Sequence, residues 1–92
     1  MSTSGRDGET HELKTRAEPF QAVWEGRKTC EVRVDDRDYQ VGDALRLREY
    51  DPDEKTYSGR SIHTRVTHIV RAPWLPPGLC VMSFGPLGYS TP

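Results

Sequence analysis

Residues 26–50, GRKTCEVRVDDRDYQVGDALRLREY, hold two strand-like runs joined by a charged turn. In the first run, residues 29–34, Thr29, Glu31 and Arg33 share one parity and Cys30, Val32 and Val34 the other. A period of two is the pattern of a half-buried strand. The expectation is that the valine parity faces the core, at ~1.5–3 kcal/mol per buried valine-sized side chain. Thr29, Glu31 and Arg33 would then stand outward in a row beside Lys28. The second run, residues 44–50, puts Leu45 and Leu47 inward and Arg46 and Arg48 outward. Asp35, Asp36, Arg37 and Asp38 make the polar turn between the runs, and Tyr39 and Val41 a short bridging strand. Gly42 restarts the chain where freedom of φ is useful.

On the N-terminal side, residues 16–26 read as a short helix. Pro19 suits a helix start, Phe20, Val23 and Trp24 follow the i, i+3, i+4 spacing of one apolar stripe, and Gly26 ends it. Residues 11–15 form a short strand centred on Leu13, with Lys14 on the opposite face. On the C-terminal side, the acidic, proline-containing stretch 51–54 signals a turn. Residues 60–70 form a long β-branched strand with Ile62, Thr64 and Val66 inward, His63 and Arg65 outward, and a bulge near Thr67 and His68. The loop RAPWLPPG, residues 71–78, is stiffened by three prolines that exclude regular pairing. Trp74 at its crest is read as a plug for the open end of a barrel, with base stacking as the alternative. Residues 79–84 close the fold, with Ser83 on a buried or cleft-lining face. Residues 1–10 and 86–92 read as tails around one domain, residues 11–85.

The ordered series Gly26-Arg27-Lys28-Thr29-x-Glu31-x-Arg33, then Val41-Gly42-Asp43 and Leu45, resembles the signature of ASCH (activating signal cointegrator homology) domains. These are small β-barrels of the PUA-like superfamily. His11-Glu12-Leu13-Lys14, Asp36-Arg37-Asp38-Tyr39 and Arg48-Glu49-Tyr50 resemble a compact bacterial and phage subfamily. The resemblance spans residues 11–85. It implies an α+β fold, a PUA-like mixed barrel of five or six strands with one main helix. It also implies a cleft beside that helix and a role in binding RNA or a nucleotide.

Composition limits the choices. A chain of 92 residues is one domain with a modest core. The formal net charge of −1 gives no global basic footprint for duplex nucleic acid. All 14 acids precede residue 55, while Lys55, Arg60, Arg65 and Arg71 follow with no acid among them. That asymmetry makes a basic face, unless the two halves interleave. Cys30 and Cys80 lie on apolar parities and read as reduced core residues of a cytoplasmic protein. No apolar run approaches the ~20 residues of a membrane span, and the polar start lacks a signal-peptide pattern. His11, His63, His68 and the cysteines show no metal-ligand spacing, so neither metal nor cofactor is expected.

The binding reading assigns Lys14, Lys28, Arg33 and Arg37 to phosphate or base contacts. Glu31 and Asp36 orient those cations or accept from a base amino group. The cleft would lie between the helix and strands 11–15, 29–34 and 79–84, and take a flipped or single-stranded base. A monomer is expected. The alternative is an enzyme at the same cleft. The resemblance extends to amidohydrolases acting on N4-acylated cytidine nucleosides, with Lys28, Thr29 and Glu31 the residues concerned. Glu31 stands where those enzymes carry a threonine nucleophile, and no acid follows residue 54. A metal-free ribonuclease and a protein-interaction module are further alternatives.

Overall fold

The structure is a computed structural model and describes residues 8–92. Its elements in chain order are β1 (Thr10–Thr15), α1 (Ala17–Trp24), β2 (Cys30–Val34), β3 (Ala44–Asp51), β4 (Thr56–Val70), β5 (Leu79–Phe84) and β6 (Gly88–Ser90). The strands form one mixed sheet in the order β1-β3-β4-β5-β2, with β6 also on β4. Only β1 and β3 run parallel. β4 pairs with β3 from Thr56 to Arg65, with β6 from Ser61 to His63, and with β5 from Val66 to Val70. A register shift between Val66 and His68 lets it turn from one set of partners to the other, where the sequence placed a bulge.

Leu13, Leu45, Leu47, Ile62, Val66, Cys80, Met82 and Phe84 line the inside of the curled sheet, and α1 covers them with Phe20 and Val23. Pro19 is the third residue of α1 rather than the first. That position is equally harmless, because the first four helical N–H groups have no intrahelical acceptor. Gly26 follows the cap residue Glu25 with φ +79°, the left-handed terminator its place after the apolar stripe predicts.

Arg60 fixes α1 to the β3–β4 hairpin. Its Nε and Nη2 donate to the two carboxylate oxygens of Glu49 at 3.1 and 3.2 Å, and Nη2 also donates to Gln21 Oε1 at 2.9 Å. The guanidinium lies 5.0 Å from the Phe20 ring and 4.7 Å from the Trp24 ring. It therefore joins ion-pair and cation–π contacts on one side chain. It holds the Glu49 carboxyl below the usual glutamate range.

Four expectations are corrected here. The sheet is not closed into a barrel by backbone hydrogen bonds: β1 and β2 end the strand path and share no ladder. Tyr39 and Val41 form no strand; Tyr39 is buried against His11, and Val41 lies exposed in a turn. Residues 88–90, read as tail, form β6, and Tyr89 packs edge-on against Trp24 at 4.7 Å. The tail reading for residues 1–10 falls mostly outside the described residues.

The fourth correction concerns β2. Val32 and Val34 are 55% and 58% exposed, while Glu31 is only 4% exposed. The alternation is as read, but its two faces are exchanged. The row Ile69–Met82–Glu31 crosses the inner face, and Val70–Val81–Val32 the outer one. The reason lies at the open seam, where β2 has no strand beside it and β1 presents bare carbonyls. Arg33, on the same inward parity and held by Glu31, can donate to them; a valine cannot. The valines in turn pack along outer cross-strand rows, which suits β-branched residues. The same exchange leaves Ser83 exposed rather than buried.

Candidate functional site

At the seam, Glu31 sits between two cations. Lys28 Nζ donates to Oε1 at 2.9 Å and Arg33 Nε to Oε2 at 2.7 Å. Lys28 Nζ also donates to the Cys30 carbonyl. Arg33 then reaches across the gap, and its Nη2 donates to the Lys14 carbonyl at 2.9 Å. Four residues further on, Arg37 Nη1 donates to the Glu12 carbonyl, also at 2.9 Å. Backbone groups of Glu12 and Lys14 alternate with those facing β3, so they point to the free edge of β1. Two guanidinium groups thus do at this edge what a seventh strand would do elsewhere.

Beside the latch lies a cavity of about 320 Å³ lined by Glu12, Leu13, Lys14, Arg33, Arg37, Arg48 and Tyr57. The Lys14 ammonium stands 4.6 Å from the Tyr50 ring, the Arg48 guanidinium 3.8 Å from the Tyr57 ring, and the two tyrosine rings are 4.9 Å apart. Glu12 accepts from Arg46 at 2.7 Å and from Arg48 at 3.4 Å. The Arg46 hydrogen bond is the main cause holding its carboxyl below the usual range.

Lys14, Arg33 and Arg37, three of the predicted residues, therefore meet at one hollow. Lys28 and Glu31 do not line it; they stand behind it and position Arg33. Asp36 and Thr29 are exposed and line none of the described cavities. Trp74 is 76% exposed and so plugs nothing. Arg48 and Tyr57 were not read as site residues. Outward parity marked Arg48, but only the β3–β4 register brings it beside the tyrosine.

A larger cavity of about 640 Å³ does lie beside the helix, but between the start of α1 and the β3–β4 hairpin, not against strands 11–15, 29–34 and 79–84 where the cleft was expected. Its charged lining is Arg16 with Glu18, Glu49, Asp51 and Asp53. None of the predicted phosphate-contacting residues reaches it, and its acidic wall repels an anion.

Two of the four late cations, Arg60 and Arg71, add nothing to a basic face. Arg60 is paired with Glu49 and Arg71 with Asp35, so the halves of the chain interleave and neutralise one another. The Asp35 hydrogen bond raises the Arg71 pKa further. A buried pair not singled out from sequence is His11 with Asp43, Nε2 to Oδ2 at 2.7 Å, with the Gln40 N–H donating to the same oxygen at 3.0 Å. His11 shares the inward parity of Leu13, a signal for its burial but not for its partner. Cys30 and Cys80 are free and face Ser83 and Arg33 across the β2–β5 ladder rather than each other. Burial pushes the Cys80 thiol pKa up. Among the described residues, no group of three His, Cys, Asp or Glu side chains is placed to hold a metal ion. Nor, among the described residues, is any helix long and apolar enough to cross a membrane.

The fold and seam define a small α+β domain, one helix on a six-stranded mixed sheet, with a cationic hollow where the sheet fails to close. The chain belongs to the family described as a domain of unknown function, DUF3850, whose pattern matches residues 10–84. A protein of Escherichia phage P2, described as an uncharacterized 12.9 kDa protein in the GpA 3′ region, is 39% identical over 59 residues. That alignment covers 64% of this chain and 52% of the phage protein, so the chain matches about half the length of this relative.

Proposed function

We propose that this protein is an ASCH-like, PUA-related domain that binds RNA or a modified nucleotide without catalysis, taking a flipped or single-stranded base at the seam hollow. The observation that carries this reading is the meeting of Lys14, Arg33, Arg37 and Arg48 around one cavity beside the Tyr50–Tyr57 pair. Guanidinium groups fork onto phosphate oxygens, and exposed tyrosine and arginine planes stack on bases. Cations concentrated at one place on a chain of net charge −1 suit a short contact rather than a duplex backbone. The binding residues are Lys14, Arg33, Arg37 and Arg48. Lys28 and Glu31 position Arg33, and Asp36 is left outside the site.

The hydrolase alternative gains no support from the geometry. The Lys28 ammonium is bonded to Glu31 and the Cys30 carbonyl, and Thr29 is exposed away from the cavity. Fluorescence anisotropy with labelled single-stranded RNA at low and moderate salt tests the proposal. Binding should weaken by about tenfold in Arg37→Ala, the loss of a charge-assisted contact. Affinity unchanged in both Arg37→Ala and Arg48→Ala removes the seam hollow from consideration.

A further inference from the structure

Resting on that reading, we infer that the hollow recognises a terminal phosphate, a phosphomonoester, in preference to the internal phosphodiesters of a strand. Three features of the cavity lead to this. Its lining carries Lys14, Arg33, Arg37 and Arg48 against the single carboxylate of Glu12, a surplus of three positive charges. A phosphomonoester carries about −1.5 to −2 at neutral pH and offers three acceptor oxygens. An internal diester carries one charge.

Size is the second feature. About 320 Å³ lies at the small end of ligand cavities. It takes one nucleotide-sized group and not a run of them. Of the outward cations that accompany Arg48 along β3 and β4, Arg46 is paired with Glu12 and Arg65 is bonded to the Gly42 carbonyl. The later cations Arg60 and Arg71 are bound to Glu49 and Asp35, and the neighbouring 640 Å³ cleft is walled by Glu18, Glu49, Asp51 and Asp53. A strand end or a single nucleotide fits a place of this size.

Preorganisation is the third. Arg33 and Arg37 are held by the Lys14 and Glu12 carbonyls through Nη2 and Nη1, and Arg33 also by Glu31 through Nε. Each guanidinium has five N–H donors, so both keep donors for a ligand, and Arg33, held at two points, keeps its plane fixed. Fixed forks favour the ligand with the most oxygens to offer. Tyr57, 40% exposed and in the cavity lining, supplies an aromatic surface for the terminal base.

The test compares short single-stranded RNAs of one sequence: 5′-phosphate against 5′-hydroxyl, labelled at the 3′ end, and 3′-phosphate against 3′-hydroxyl, labelled at the 5′ end. Unlabelled nucleoside monophosphates serve as competitors. One phosphorylated end should bind about tenfold more tightly than its hydroxyl counterpart. Arg37→Ala and Arg48→Ala, with thermal melts confirming their fold, should each bring the two closer together. Full displacement by a 5′- or 3′-nucleoside monophosphate at matching concentration supports the inference and assigns the ligand to free nucleotide; weak displacement with a clear end preference supports it and assigns the ligand to a strand end. Equal binding of all ends, lost in Arg37→Ala, overturns the terminal-phosphate inference and leaves RNA binding at the seam intact. A preference that survives both substitutions overturns it also, since the end is then read elsewhere. No binding to any RNA or monophosphate overturns both.

Discussion

Replacing Glu31 by glutamine should destabilise the domain more than replacing Val32 by threonine, the reverse of what the sequence pattern alone suggests. Both substitutions preserve shape. The Glu31 side chain is 5% exposed, and its two oxygens accept from Lys28 and Arg33, which are 30% and 27% exposed. Breaking a fully buried ion pair costs ~3–5 kcal/mol, and losing an exposed pair ~0–1 kcal/mol. With the carboxylate buried and both cations partly in water, Glu31→Gln falls between these limits, at about 2 kcal/mol. The amide oxygen can still accept from one cation, but its NH₂ meets the other donor to donor. In a domain of this size that corresponds to a melting temperature lower by about 10 °C. Val32 lies on the outer face, more than half exposed, and threonine keeps its branched shape. Val32→Thr should stay within about 0.5 kcal/mol of wild type. Urea unfolding followed by tryptophan fluorescence measures both, since Trp24 packs against the core. If Val32→Thr costs as much as Glu31→Gln, the inner face of β2 has been assigned backwards and the seam latch with it.

Other expectations follow from the same contacts. Arg60→Ala loses the bidentate pair with Glu49 and two ring contacts, and should cost about 2–3 kcal/mol. A double-mutant cycle with Glu49→Gln should be clearly non-additive. The pH dependence has a definite sign. The Glu49 pKa is lowered in the folded state, so its contribution is complete above the ordinary glutamate value of about 4.3 and lost as pH falls through the folded value. The stability gap between wild type and Arg60→Ala should therefore narrow in acid, as seen by urea titrations across that range. Cys80, buried and with its thiol pKa raised by desolvation, should resist a thiol reagent until the protein unfolds, while the half-buried Cys30 reacts first. Mass spectrometry of labelled peptides separates the two.

Much of the architecture was legible because it rests on local rules. The helix announced itself through Phe20, Val23 and Trp24 and through Gly26 at its end. β3 and β4 were readable from Leu45, Leu47, Ile62, Thr64 and Val66, all of them inward as alternation predicts. β2 shows where such rules stop. A period of two separates faces without saying which is inside, and hydrophobicity points the wrong way when the inner position must serve an unpaired strand edge. The candidate site was legible to the extent that Lys14, Arg33 and Arg37 line one cavity. It was hidden where the answer depends on register, as with Arg48 beside Tyr57, or on what surrounds a loop, as with Trp74. The His11–Asp43 pair was out of reach because its members lie 32 residues apart and only the parallel β1–β3 ladder brings them together.

The two arginines on the outer edge of β1 bear on solubility as well as shape. An uncovered strand edge invites a neighbouring chain to add itself there, and proteins blunt such edges with charge. Here the blunting groups occupy the Glu12 and Lys14 carbonyls themselves, so an incoming strand would first have to dislodge them. A chain lacking both Arg33 and Arg37 would leave those two carbonyls open and be prone to stack edge to edge into aggregates.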